Sequence, residues 1–215
     1  MEGLIGGIYR YCEWIMRFAY INILWILFTI LGFIVFGAAP ASAAMFAVSR
    51  KWVMGNHDTP IFSVFWDTYR KEFVKANLVT FFMFLIGLLL YIDIQLFQQM
   101  KNIFAYVISF ILMGVLLIYF AACFYLFPLL VHYETKVFQY IKYSFLYAVS
   151  YPMHSILMIV GTVIIYFVVT TIPGLLPVLS VGPLSVLIIS ISYRVFSKKT
   201  QHMGIVNVHF ANALK

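Results

Sequence analysis

The feature that most restricts this chain is the length of its uncharged stretches. Residues 103–131 run for 29 residues without a formal charge, and residues 143–193 for 51. A helix crosses the hydrocarbon core of a bilayer with about 20 apolar residues, at about 1.5 Å rise each. Stretches of this length therefore read as membrane spans. Composition agrees: 64% of the residues are apolar, 10% are charged and the mean hydropathy is +1.00. Soluble domains carry about 45–50% apolar and about 25% charged residues. A soluble enzyme, a disordered chain and a disulfide-stapled secreted domain are all excluded. The fold class expected is all-α, a polytopic transmembrane helical bundle.

Five spans are expected, near residues 18–37, 76–96, 103–127, 153–171 and 178–196, in one membrane domain covering 1–196. Residues 197–215 form a C-terminal cytoplasmic tail. The long run 143–193 is divided by Ile172-Pro173-Gly174 and Pro177, and residues 38–48 are too few for a sixth span. Ala41-Ser42-Ala43 resembles a signal-peptidase site. The apolar run before it is longer than a signal core, however, and follows Glu2 and Glu13, so it reads as an uncleaved span. Gly182-Pro183, inside the fifth span, should kink it. With the N-terminus outside, eleven Lys and Arg face the cytoplasm, Arg50, Lys51, Arg70, Lys71 and Lys75 among them, and three face outward, namely Arg10, Arg17 and Lys101. That excess favours N-terminus out and C-terminus in. A six-span version, with residues 38–48 crossing, would place Arg10 and Arg17 inside.

Two cytoplasmic segments carry helical amphipathic patterns. Phe62, Phe65, Trp66, Tyr69 and Phe73 fall at i, i+3, i+4, i+7 and i+11, away from Asp67, Arg70, Lys71 and Lys75. Phe138, Ile141, Phe145 and Val149 make the second stripe. Such helices lie in the interfacial plane. With Trp52, these aromatic faces are candidate docking surfaces for a partner helix. Each segment follows a proline (Pro40, Pro128) and precedes a span, which suggests a weak parallel repeat.

Residues that could carry chemistry are scattered. Asp93 lies at the edge of the second span and reads as an interfacial carboxylate. Asn22 and Asn77 sit near span ends, where an amide can bond across helices. His132 and Glu134 are two apart and share no helical face, while His57 and His154 read as turn and interfacial rings. Cys12 and Cys123 have neither disulfide nor metal-ligand spacing. No phosphate loop or nucleophile elbow occurs. No catalytic residue, metal or cofactor is therefore expected. The net charge of +7 is dispersed between the apolar runs rather than gathered in a stripe, so nucleic acid is not an expected partner.

Several strings carry a family pattern. Tyr11-Cys12-Glu13-Trp14-Ile15-Met16-Arg17 with Asn22 and Trp25 is one of them. Arg50-Lys51-Trp52 followed by Asp58-Thr59-Pro60-Ile61-Phe62, Phe65-Trp66, Tyr69, Glu72-Phe73 and Lys75-Ala76-Asn77-Leu78 is another, and Phe127-Pro128, His132-Tyr133 and Phe138-Gln139-Tyr140-Ile141-Lys142 is a third. Over roughly residues 3–196 the chain resembles the YesL-like bacterial membrane proteins, a domain of unknown function. The resemblance implies a small polytopic protein found beside carbohydrate ABC importers. From it comes the expected role: a non-enzymatic accessory subunit in the lipid bilayer that touches the importer's permease, with the solute-binding protein as a further expected partner. The alternative is a transporter or channel in its own right. Permease identity itself is disfavoured, because Ala43-Ala44 lacks the Glu of the permease's cytoplasmic loop and the next glycine is Gly55.

Overall fold

The structure, a computed structural model, describes residues 2–100, 102–171 and 181–202. These form α1 (Glu2–Leu31), α2 (Val35–Val53), α3 (Ile61–Gln99), α4 (Ile103–His132), α5 (Val137–Ser150), α6 (Pro152–Thr171) and α7 (Gly182–His202). Among the described residues there is no strand, and the all-α membrane bundle stands. Among the described residues four helices are long and apolar enough to cross a membrane: Cys12–Leu31 within α1, then α3, α4 and α6. Gly182–Phe196 is a shorter apolar helix. The expected break at 172–177, the start of the fifth span and tail residues 203–215 lie outside the described residues. Gly182 and Pro183 open α7 rather than kink it. Proline is tolerated in a first turn, where its missing N–H has no helical acceptor to lose.

The expected span 18–37 holds as a membrane-length helix to Leu31, where the chain turns back in a helical hairpin and residues 38–48 become part of a longer helix, as in the six-span version. α1 ends at Leu31 with the paired bonds of a Schellman motif: Phe33 N–H donates to Ile30 O (3.0 Å) and Ile34 N–H to Thr29 O (2.8 Å). Phe33 (φ 56°) and Ile34 (φ 61°) both take left-handed backbone, unusual without glycine and costing about 1–2 kcal/mol each. The reversal is possible because Gly32 and Gly37 meet. A Cβ built on Gly32 would lie 2.3 Å from the Gly37 Cα. α2 then runs back along α1, as shown by the Trp25 Nε1 bond to Ser42 Oγ (3.1 Å) and the edge contact of Trp14 on Trp52 (5.6 Å). Small side chains at Ala39, Ala41, Ala43 and Ala44 let α2 lie buried between α1, α3, α4 and α7.

The hairpin also corrects the orientation count. Trp14 lies against His57 (5.6 Å), so Arg17 sits at the same end of the hairpin as Arg50 and Lys51. They share one side of the molecule, not opposite sides.

The expected interfacial helix 61–75 and the span 76–96 are one continuous α3 of 39 residues. No proline or glycine occurs between Ile61 and Gly87 to interrupt it. Asn77, as expected of an interhelical amide, donates through Nδ2 to Phe36 O (2.9 Å) as well as to Phe73 O (2.8 Å). Asn22 Oδ1 likewise accepts from Gly182 N–H (2.8 Å), tying α1 to α7. The two halves are built differently: Pro40 and Pro128 lie inside α2 and α4, and only the second amphipathic segment, α5, is a separate helix.

Gly37→Val should open the turn, because its Cβ would stand 2.3 Å from Thr29 O. Thermal unfolding in detergent should show a loss of about 1–3 kcal/mol or more. Gly114→Val, whose Cβ meets nothing within 4 Å, should be near neutral. Cys12 and a cysteine placed at His57 should respond identically to an impermeant maleimide in intact cells; opposite labelling would refute the hairpin.

Candidate functional site

The nine expected docking residues separate into three groups. Trp52 (2% exposed), Phe65 (0%) and Tyr69 are buried in the chain's own core. Trp52 packs under Trp14 and Phe18. Phe65 and Tyr69 lie against Phe28 of α1, with centroids 5.1 and 5.0 Å away, and the Tyr69 hydroxyl donates to Phe28 O (3.1 Å). These three are corrected from docking to internal packing. Periodicity found the helical face of Phe65 and Tyr69, but the hairpin that covers it, Trp52 included, was not visible in the pattern.

Phe62, Trp66 and Phe73 border that contact and stay partly or fully exposed. Trp66 and Phe73 help to line an open groove of about 520 Å³ between the α1–α2 turn and α3. The lining side chains are apolar apart from the Trp66 indole N–H and the Tyr69 hydroxyl, which Phe28 O engages.

The third group lies on α5. Its inward face is Tyr140, Ser144, Tyr147 and Ala148, all buried. The apolar stripe faces outward: Phe138 is 69% exposed and Val149 60%, with Ile141 and Phe145 half-buried between them. Phe138 rests against Phe82 (5.2 Å) and Phe145 against Tyr119 (6.4 Å). The inward tyrosines find polar partners. The Tyr140 hydroxyl donates to Tyr133 O (2.6 Å) and accepts from Thr135 N–H (3.0 Å). Tyr147 and Tyr133 share a side-chain hydrogen bond, and burial pushes both hydroxyls up, with Arg50 drawing Tyr133 part of the way back. Both stay protonated at neutral pH. The recurrence of Tyr140, Ser144, Tyr147 and Tyr151 was the sequence signal for this inward face, because hydroxyl-tipped rings need partners when buried.

A polar centre sits where α2, α4 and α7 meet. Arg50 Nη1 donates to Val131 O (2.7 Å), in the last turn of α4, where the helix dipole favours a cation. Its Nε–H is buried without a hydrogen-bond partner. His132 lies tilted against Phe196 (5.1 Å) and edge-on to Tyr193 (6.1 Å). Ser49 and Ser185 hydroxyls bond at 2.6 Å between α2 and α7. Outside this centre, Glu134 pairs with Lys71, and that hydrogen bond holds the Glu134 carboxyl below its ordinary value. Asp93 is exposed, as are Cys12 and the His57 turn, whereas Cys123 is half-buried and free. Among the described residues no three His, Cys, Asp or Glu side chains gather as metal ligands. The centre can hold helices in register, and its half-buried cation has no acid partner within 4 Å among the described residues.

Arg50→Met should leave Val131 O unpaired and lower thermal stability by about 1.5–3 kcal/mol, the range for a charge-assisted bond. Arg50→Lys should recover part of the loss. The Lys71–Glu134 contribution should be fully present above the ordinary carboxyl range and fade as pH falls through the lowered Glu134 value. Glu134→Gln should flatten that acid limb in a pH series of melting curves.

The comparisons bear on the same segments. A family model described as "Protein of unknown function, DUF624" matches residues 18–94, which cover the hairpin and most of α3. The chain is 40% identical to the uncharacterized protein YteU of Bacillus subtilis (strain 168) over 94% of this chain and 91% of that one. Against the uncharacterized protein YesV of the same organism it is 36% identical, over 80% and 82%. Against uncharacterized YesL, also of that organism, it is 41% identical over 47% and 49%. No solved structure matches. On the strength of its near full-length likeness to YteU, the chain belongs to the YesL-like, DUF624 family of uncharacterized proteins.

Proposed function

We propose that the protein is a non-enzymatic accessory membrane subunit of a carbohydrate ABC importer. It contacts the permease through the outward stripe of α5. The observation that supports this most is the inversion of that helix: Tyr140 and Tyr147 are satisfied internally, while Val149 and Phe138, apart from its contact with Phe82, stay exposed. An apolar stripe turned outward from a short amphipathic helix suits the groove of a partner helix. The importer itself is suggested by the family resemblance, and the solute-binding protein is a further partner in this reading. The same reading puts the protein in the bacterial cell membrane, with Arg17, Arg50 and Lys51 at the cytoplasmic end by the excess of basic residues there. A transport role in its own right loses the motive of a broken helix, since Gly182 and Pro183 begin α7.

A tagged copy purified in mild detergent should bring down the permease encoded beside it. Replacing both Phe138 and Val149 by Ser should reduce that recovery by about tenfold, as for a docking anchor worth somewhat over 1 kcal/mol. Recovery of the unmodified protein alone would remove the reading.

A further inference from the structure

We propose that the groove between the α1–α2 turn and α3 is a binding site for an anionic phospholipid. The acyl chain lies against the groove walls and the phosphate meets Arg70. The walls include Phe28, Leu31, Phe33, Phe36, Trp66 and Phe73, and the volume is about 520 Å³. The one hydroxyl among the lining side chains, that of Tyr69, is already given to Phe28 O. Among the lining side chains a sugar or polar peptide would therefore find only the Trp66 indole N–H as a partner, whereas a hydrocarbon chain needs none. Continuing the apolar surface beyond the groove, Phe33 is 87% exposed, with Ile34 and Val35 beside it at the turn. The amides of Gly32, Phe33, Ile34 and Val35 are all hydrogen-bonded within the turn. That leaves this part of the backbone fit to meet lipid, where an unpaired amide is costly.

The sign of the headgroup follows from the charges at the rim. Lys71 is paired with Glu134, and Lys75 with Glu72 at 3.1 Å. Arg70 has no carboxylate within 4 Å among the described residues and is exposed. Its guanidinium lies 5.5 Å over the ring of Trp66, which is itself a wall of the groove. An uncompensated, planar cation held against one wall of an apolar groove is complementary to an amphiphile with a phosphate head, which arginine can grip with two parallel N–H bonds. The site is on α3 and the hairpin, apart from the α5 stripe, and does not depend on the importer reading.

The test uses the purified full-length protein in mild detergent, titrated with dibrominated phosphatidylglycerol or dibrominated phosphatidylcholine while tryptophan fluorescence is read. Phosphatidylglycerol should quench at about a fivefold lower mole fraction, the order expected from one arginine against an anionic headgroup. Trp66→Phe should remove the difference. Arg70→Gln, at an exposed position, should level the two lipids with helicity unchanged by circular dichroism, and Lys142→Gln should leave the preference intact. Equal quenching by both lipids in the unmodified protein would reduce the groove to ordinary lipid contact and overturn the proposal. A preference that survives Arg70→Gln would overturn it as well, and so would full relief of quenching by excess glycerol 3-phosphate, which would mark a site for the free headgroup.

Discussion

The close approach of Gly32 and Gly37 lets α1 and α2 lie side by side, and α2 is the helix around which α1, α3, α4 and α7 assemble. In lipid there is no water to drive apolar helices together, so association depends on tight packing and interhelical hydrogen bonds. α2 supplies both. Its alanines permit close contact, and its polar residues reach outward in turn: Ser42 to Trp25, Ser49 to Ser185, and Arg50 to Val131 O. If the turn opened, the central helix would lose its register against four neighbours at once.

That arrangement sorts the aromatic residues. Phe28 at the end of α1 gathers the rings of α3, so Phe65 and Tyr69 become core while Trp66 and Phe73 edge a groove. On α5 the sorting is reversed, with tyrosines inward and Phe138 outward. Two aromatic segments that look alike as patterns therefore have different physical roles. One closes the chain upon itself, and the other leaves an apolar stripe for lipid or a partner helix.

The polar interior is of the same structural kind. Hydroxyls, amides and one guanidinium bridge helices at their ends and crossings, and Tyr133 and Tyr147 are held protonated by burial. The outward surfaces, not this interior, carry the proposed interactions.

Membrane residence, helical class, the apolar stripe of α5 and the bridging roles of Asn22 and Asn77 were legible in the sequence, because they follow from local hydropathy, period and the cost of an unpaired amide. Three things were not. The reversal at Phe33 and Ile34 depends on left-handed backbone that two bulky residues adopt only because Gly32 and Gly37 can touch across the turn. The continuity of α3 follows from the absence of a breaker, while the change from charged to apolar side chains suggested a boundary. Which face of α3 or α5 is inside was open as well: in a bilayer both the core and the surroundings are apolar, so a hydrophobic stripe marks a face without saying which way it points. Only the packing of the hairpin against α3, and of the tyrosines against α4 and α7, decided that.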